Sequence, residues 1–502
     1  MGRFGPKPLE PIVRAFALGF LTTTGPKLLG CLRLIRRRDL TAKEKWKRVG
    51  SIHFKNDRGQ YSVFSIIRKG FGWNKFPAFT ALLAASATII PSLIEKQISA
   101  FRTDSTSRSR KPSSPLLFAS VFIASWLFWP VLNSKPPPPL KRASTRLAKP
   151  SQTTIDNGDT ARRNSNGFKK TSLEPKDLSG RTLDLTLFTA ARAIDILCCV
   201  LWDRFLSQRK ARGKQPNRLV SRIPEFATAS TFAFVSGIVM WAWFYSPERL
   251  PTSYSGWITS AAQVDMRLIE ALRTHRQGQW SYGKPTPTPP RLDDMAESLG
   301  MPREAGDHIK TIPFPCEIVH MRHGGSCCEL HLLWRFWTGF KFSFAMYFPL
   351  QLLMQLRRGK LPSLQTLQRM VKNAGRSSAF LGAFISIFYY SVCLVRTRVG
   401  PTLFSYETVP PDFWDDGACV GLGCALCGWS ILLENVRKRI ELMLFVAPRA
   451  LSVVLPRRYE NKYRWREQVT FSLSLAVLLT AVKKKPEMVR GMLGKVLNSV
   501  LK

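Results

Sequence analysis

The chain has 502 residues, and its 75 Lys and Arg against 33 Asp and Glu give a formal net charge of +42. Such an excess is typical of nucleic-acid-binding proteins. Here, however, the basic residues flank apolar stretches, as at 34–38 and 482–485, where anionic lipid headgroups and topology selection explain them more simply. We therefore predict an all-α polytopic membrane protein that is not a soluble enzyme. Its partner is the lipid bilayer with its anionic headgroups, and not nucleic acid.

Residues 1–133 are predicted to hold the membrane helices of a first half. A hydrocarbon core of about 30 Å requires about 20 residues of helix. The stretch 115–133 meets this requirement without a charged residue, whereas 76–94 and 12–34 are weaker candidates. The last of these contains Lys27, which lies near one end, where a long side chain reaches the headgroups.

A basic insert follows at 134–180. It contains KPPPPLKRAST and then a polar tract with almost nothing to bury. We predict that this Pro- and Ser-rich insert is disordered, because it lacks the apolar residues that would offset the entropy of ordering. The stretch 102–114 has a similar composition and the same prediction applies to it.

Residues 181–246 combine an amphipathic segment with a predicted membrane helix at 226–245. Within 185–205, a polar stripe at a spacing of three residues includes Arg192 and Asp195, which predicts a helix lying in the membrane interface. The alternative is that this segment crosses the membrane and turns both charges into a helix bundle. Either arrangement makes the two residues candidates for an intramembrane function.

Residues 247–336 form the one connection of sufficient length for sizeable polar structure, and it ends in a Cys/His cluster. Thiolate and imidazole are the ligands that zinc prefers, but the spacing matches no standard zinc motif. We therefore predict a packed loop at the membrane surface with no metal and no cofactor, and zinc binding is the alternative. The cluster consists of Cys316, His320, His323, Cys327, Cys328 and His331.

Residues 337–502 are predicted to form the membrane helices of a second half. The segment 440–455 carries Arg449 among other polar residues and is predicted to be a second interfacial amphipathic helix. Membrane helices are predicted at 377–395 and 417–433, and with a weaker signal at 337–353 and 469–482.

The two halves share an internal repeat. The sequence LFTAARAI around Arg192 matches LFVAPRAL around Arg449, and the neighbouring apolar segments recur in the same order. This pattern predicts two duplicated four-helix halves, each with an amphipathic interfacial helix. Eight crossings also place the basic connections on one side and the acidic stretch 397–417 on the other, as the positive-inside rule expects, whereas ten crossings do not.

Several stretches together resemble the transmembrane protein 135 family, including its fungal members. They are FYSPERLPTSYSGWI, HRQGQWSYG, PCEIVH with SCC, and RSSAFLGAFISIF. The resemblance covers most of the chain outside the insert, and that family is distantly similar to the channel subunits of the mitochondrial inner-membrane import translocase. It implies a multi-pass protein of peroxisomal or mitochondrial membranes with a role in membrane organisation or lipid homeostasis. It supplies no catalytic residues.

The predicted function is therefore non-enzymatic. The alternative is a carrier or channel for an anionic solute or lipid, in which Arg192, Asp195 and Arg449 would line the path. A metalloenzyme ranks last, because Glu317 and Glu329 are the only acidic residues beside the Cys/His cluster. Membrane-protein partners and a homo-oligomer are compatible with each of these functions.

Overall fold

The computed structural model describes residues 9–35, 54–56, 59–61, 67–68, 71–72, 75–101, 113–133, 178–213, 217–287, 289–357, 362–405 and 407–501. Strands occur in these ranges only as two short antiparallel pairs. They are β1 (Phe54–Asn56) with β2 (Gly59–Tyr61), and β3 (Leu178–Ser179) with β4 (Tyr459–Glu460). Helices account for most of the rest, which confirms the all-α prediction. The predicted disorder of 102–112 and of 134–177 falls outside the described residues.

Most helices are long, and a group of short helices lies between residues 247 and 327. We number them in chain order, leaving single turns aside. They are α1 (Glu10–Ile35), α2 (Phe76–Phe101), α3 (Ser114–Leu132), α4 (Leu183–Ala211), α5 (Arg218–Tyr245), α6 (Thr252–Ala262), α7 (Met266–Arg276), α8 (Leu292–Ser298), α9 (Cys316–His320), α10 (Cys328–Leu356), α11 (Leu364–Cys393), α12 (Cys419–Cys427), α13 (Val436–Val454), α14 (Arg464–Lys484) and α15 (Gly491–Leu501).

The π-helical turn Leu394–Val399 continues α11 to Leu403, and the segment Trp414–Ala418, which bends at Gly417, leads into α12. Some helix starts show the usual capping chemistry, in which a side-chain oxygen accepts a hydrogen bond from a free backbone N–H. Ser363 caps α11 and Asn435 caps α13 in this way.

Six described helices are long and apolar enough to cross a membrane. All four stretches with the strongest apolar signal in the sequence belong to this set, so the prediction of an all-α polytopic membrane protein is confirmed. The six segments are Phe76–Glu95, Ser114–Leu132, Leu183–Ala211, Arg218–Tyr245, Leu364–Leu403 and Pro411–Leu433.

The weaker predicted segments also form helices, namely α1, α10 and α14, but these are not long and apolar enough to belong to the six. Their crossing of the membrane therefore stays a prediction. The side chain of Lys27 in α1 lies outside the described part of the chain. Helix α4 has the length and composition of a membrane span, whereas α13 does not. Length alone does not decide between crossing and lying flat, so the interfacial placement of both stays a prediction.

The chain divides into two compact units. Unit 1 consists of residues Met1–Thr186, Arg457–Lys484 and Leu497–Lys502. In it α1 packs on α2, α2 on α3, and α3 on α14. Gln468 of α14 donates a 2.8 Å hydrogen bond to the backbone oxygen of Trp126, and the rings of Phe79 and Phe471 lie 6.0 Å apart. Apolar packing and several polar contacts therefore join α14 to the helices of the first half.

Unit 2 consists of residues Leu187–Pro456 and Lys485–Val496. Helices α10 and α11 pack closely, because a Cβ on Gly339 would lie only 3.2 Å from the Cα of Gly382. Helix α5 packs against α12 and α13. We call residues 247–327 the cap; they include α6 to α9 and have their own apolar core around Trp280, Met295 and Ile318.

The two units cut across the predicted linear halves at 1–133 and 337–502. Unit 1 combines α1, α2 and α3 with α14, the last helix predicted for the second half. Unit 2 combines α10, α11 and α12 with α5, the last membrane helix of the first half. An exchange of last helices between duplicated halves would give this composition, and the duplication itself stays a prediction.

Candidate functional site

A cavity of about 450 Å³ lies within unit 2, between α5, α6, α10, α11 and α13. This volume falls in the range of about 300–1,000 Å³ that small-molecule sites occupy. We call it the aromatic cavity, because rings dominate its walls. Six of the aromatic residues that line it are Phe232, Trp243, Trp257, Phe384, Phe388 and Phe445.

Helical periodicity brings these rings together. On α11 the lining residues Phe380, Phe384 and Phe388 follow one another at a spacing of four, which places them along one face of the helix. On α5 the lining residues Phe232, Ser236 and Met240 show the same spacing. The lining faces of α5 and α11 therefore border the same apolar space.

Arg449 of α13 is the only charged side chain among the described residues that line the cavity. Its guanidinium carbon lies 3.6 Å from the centre of the Phe445 ring and 5.0 Å from that of Tyr254. Aromatic faces attract a cation by their quadrupole. These rings hold the guanidinium beside the apolar space, where it can meet the charged end of a ligand.

The cavity reaches the molecular surface beside three of its own lining residues. Trp257, Met346 and Phe445 are 37%, 38% and 49% exposed, although each also lines the cavity. In a membrane protein, an opening framed by large apolar side chains fits the lipid phase better than water. Arg449 is half-buried next to Phe445, at this opening.

A buried arginine that the sequence analysis did not single out supports the wall formed by α6. Arg335 of α10 donates hydrogen bonds of 2.9 and 3.1 Å to the carbonyl oxygens of Ala262 and Gln263, where α6 ends. A cation at a helix C-terminus satisfies free carbonyls and complements the helix dipole. Arg335 also lies 3.9 Å above the ring of Tyr389, which lines the cavity.

A polar cluster joins the cap to the membrane helices of unit 2, and we call it the cap junction. Arg396 and Asp415 pair through two hydrogen bonds of 2.8 and 3.0 Å. Arg396 also donates to the backbone oxygen of Phe314 and to the hydroxyl of Tyr282, and that hydroxyl donates to Asp415 at 2.6 Å. Each charge is buried, and each is satisfied from several directions.

Both charges lie where a helix departs from regular α geometry. Arg396 lies in the π-helical turn that extends α11, where one extra residue per turn redirects the side chains that follow. Asp415 lies in the segment Trp414–Ala418 before α12, which bends at Gly417, whose φ is +124°. The sequence placed Asp415 in an acidic connection, and the structure instead buries it against Arg396.

The structure brings three residues of the predicted Cys/His cluster together. The sulfur atoms of Cys316 and Cys328 and a ring nitrogen of His320 gather with the sulfur of Cys393, all within 4.8 Å of one another. Cys393 lies in the apolar stretch 377–395, which the sequence predicted only as a membrane helix. Its position in an apolar run gave no signal of a polar neighbour from the cap.

The other three residues of the predicted cluster have different contacts. The Cys327 thiol donates to Glu329 at 3.4 Å, and the ring of His323 stacks on Trp334 with centres 3.8 Å apart. His331 accepts a 2.9 Å hydrogen bond from Arg335. Three residues of the predicted cluster therefore gather with Cys393, and the other three lie outside this group.

The thiol of Cys316 is the most perturbed of the gathered groups that lie outside the membrane segments. A hydrogen bond with Cys393 and the nearby positive charge of Arg396 together lower the pKa of Cys316 to about 6, although burial opposes this shift. The cap junction and the gathered residues thus share an electrostatic environment.

The remaining predicted site residues lie elsewhere in unit 2. Arg192 donates a 3.1 Å hydrogen bond to the backbone oxygen of Arg490, and Asp195 pairs with the Arg490 side chain. Neither lines the aromatic cavity, whereas Arg449 does. The two arginines that the repeat equates therefore have different surroundings.

The geometry defines an all-α polytopic membrane protein with an apolar cavity and a separate Cys/His centre. A comparison with protein-family models, with curated proteins and with solved structures finds no match.

Proposed function

We propose that this protein binds a single-chain anionic amphiphile, such as a fatty acid or a lysophospholipid, within an organelle membrane and thereby takes part in lipid homeostasis. The observation that carries the proposal is the aromatic cavity of about 450 Å³ with Arg449 at its opening. An acyl chain fills the apolar space, and the carboxylate or phosphate meets the guanidinium.

The free energy of binding depends on the environment that the ligand leaves. An acyl chain that enters from a bilayer leaves an apolar environment, so the hydrophobic term nearly cancels. What remains is close packing against the rings and the charge-assisted contact with Arg449. Selectivity for an anionic headgroup therefore depends on that one residue.

Arg449→Gln is the direct test. The full chain would be reconstituted in nanodiscs of zwitterionic lipid and titrated with a fluorescent long-chain fatty acid. A charge-assisted hydrogen bond is worth about 1.5–3 kcal/mol, so we expect binding to weaken by about 10- to 100-fold. Arg437→Gln is the matched control, because this arginine is exposed on the same helix. No saturable binding, or equal affinity in the Arg449 variant, would contradict the proposal.

The proposed location is a peroxisomal or mitochondrial membrane. The resemblance to the transmembrane protein 135 family supports it. A tagged chain is expected to co-fractionate with one of these organelles. Enrichment in the plasma membrane would remove this part of the proposal without affecting ligand binding.

A carrier for an anionic solute or lipid is the second candidate. It is favoured by the charged cluster around Arg192, Asp195 and Arg490, which lies apart from the cavity lining. Transfer of labelled amphiphile across proteoliposomes separates the two functions. Transport that is lost in both Arg192→Gln and Arg449→Gln supports a carrier, whereas binding that needs only Arg449 supports the first proposal.

A further inference from the structure

The centre formed by Cys316, His320, Cys328 and Cys393 has the donor set of a structural zinc site. Three thiolates and one imidazole are a common tetrahedral combination for zinc, and closed sites of this kind leave no position for water. Cys316 is half-buried and the other three residues are buried. The centre thus offers the metal four protein ligands away from solvent.

The spacing of the ligand atoms fits a tetrahedron. With Zn–S bonds of about 2.3 Å, neighbouring sulfurs in a tetrahedral site lie about 3.8 Å apart. Here all four ligand atoms lie within 4.8 Å of one another, and the Nε2 atom of His320 is 3.2 Å from the sulfur of Cys393. Small rotations about the side-chain torsions would bring every ligand to bonding distance.

His320 is already oriented as a ligand. Its Nδ1 atom forms a 2.8 Å hydrogen bond with the carbonyl oxygen of Gly325, which leaves Nε2 directed at the centre. Metal-bound histidines almost always donate their second N–H to such a partner. The turn that presents this carbonyl includes Gly324, whose φ of +87° few other residues adopt.

We propose that Cys316, His320, Cys328 and Cys393 bind one structural zinc ion. The ion joins three elements: α9 in the cap, the first residue of α10 and the end of α11. This proposal goes beyond ligand binding in the aromatic cavity and replaces the sequence-based expectation of no metal.

The zinc site would also support the cavity wall. The ring of His320 stacks on that of His331 with centres 4.1 Å apart. His331 accepts a hydrogen bond from Arg335, which in turn donates to the end of α6. A metal that fixes the position of His320 would therefore restrain His331, Arg335 and the cavity wall formed by α6.

The test measures metal directly. The full chain is purified in detergent under reducing conditions without chelator, and zinc per chain is determined by elemental mass spectrometry. We expect about one zinc per chain, as one tetrahedral site requires, and a loss to near zero in Cys393→Ala and His320→Ala. Cys327→Ala and Cys427→Ala are matched controls that should keep the zinc, because neither residue belongs to the centre.

Cobalt substitution gives a second measurement that needs no variant. Protein produced with cobalt in place of zinc should show the charge-transfer and d–d absorption bands of a tetrahedral cobalt–thiolate site. The proposal is overturned if the wild-type chain contains no stoichiometric zinc and gives no cobalt bands. A disulfide between two of the cysteines, or equal zinc loss in Cys327→Ala, would also overturn it. None of these outcomes depends on whether the cavity binds a lipid.

Discussion

Residues of α11 line the aromatic cavity, and Arg396 in the extension of α11 belongs to the cap junction. The two regions differ in how completely their groups are paired or packed. At the junction, the buried charges of Arg396 and Asp415 are satisfied by each other, by Tyr282 and by the backbone of Phe314. At the cavity, apolar walls enclose about 450 Å³ that protein atoms do not fill. Protein interiors are normally close-packed, so a cavity of this size departs from the norm.

This contrast separates a structural region from a ligand-binding region. A buried ion pair whose hydrogen bonds are all formed fixes the relative position of its helices but has few free donors or acceptors for a ligand. An apolar space with one charged group at its opening has unused contact surface. We therefore expect changes at the junction to lower stability and changes at the cavity to lower affinity.

The largest effect is expected for Asp415→Asn at the junction. The change leaves the buried guanidinium of Arg396 without its counter-charge, and breaking a buried pair in this way costs about 3–5 kcal/mol. Thermal unfolding of the purified chain should therefore begin at a much lower temperature. Glu329→Gln is the control, because its pairing with Arg398 is exposed and should leave the unfolding temperature unchanged. Equal behaviour of the two variants would contradict the distinction between buried and exposed pairs.

A smaller effect is expected for Arg335→Met, which removes the support of the cavity wall formed by α6. The change leaves the carbonyl oxygen of Gln263 without its donor and that of Ala262 with only the 3.4 Å bond from the Tyr389 hydroxyl, and an unsatisfied buried acceptor costs about 1–3 kcal/mol. Because α6 forms a cavity wall, fatty-acid affinity should fall together with stability. A variant that loses stability and keeps full affinity would show that the wall does not depend on Arg335.

The smallest effect on stability is expected for Ala261→Phe. Ala261 lines the cavity, and a ring that enters existing space avoids the strain of overpacking, so stability should change by less than about 1 kcal/mol. Fatty-acid binding should nevertheless be lost, because the ring occupies the ligand's place. Ser260→Phe adds the same ring to the exposed face of α6 and should keep binding. Saturable binding to Ala261→Phe would show that the ligand does not use this cavity.

The sequence predicted the helices well, because the signal for a membrane helix is local. Each of the stretches 115–133, 226–245, 377–395 and 417–433 contains enough apolar residues to span a hydrocarbon core. The structure has a long apolar helix at every one of them. The presence of such a helix can therefore be predicted from the composition of one continuous stretch, without knowledge of how the helices pack.

The site was predicted only in part, because its residues meet through packing between distant segments. Arg449 was identified from its position in an apolar helix, but its aromatic neighbour Tyr254 lies on a different helix. Cys393 was missed, because a cysteine in an apolar helix has the same local pattern whether it packs or binds a metal. Arg396 and Asp415 were missed as a pair, because they meet where the helices depart from regular α geometry, at a π-helical turn and at the bend of Gly417.

The central claim is that the aromatic cavity binds an anionic amphiphile, and photo-crosslinking in native membranes tests it most directly. A fatty acid with a photoreactive group in its chain would be activated in membranes that contain the full chain, and the labelled residues identified by mass spectrometry. We predict labelling of cavity residues such as Tyr254, Phe384 and Phe445, and its loss in Ala261→Phe. Labelling confined to exposed apolar residues such as Leu350 and Leu353, and unchanged in Ala261→Phe, would contradict the account.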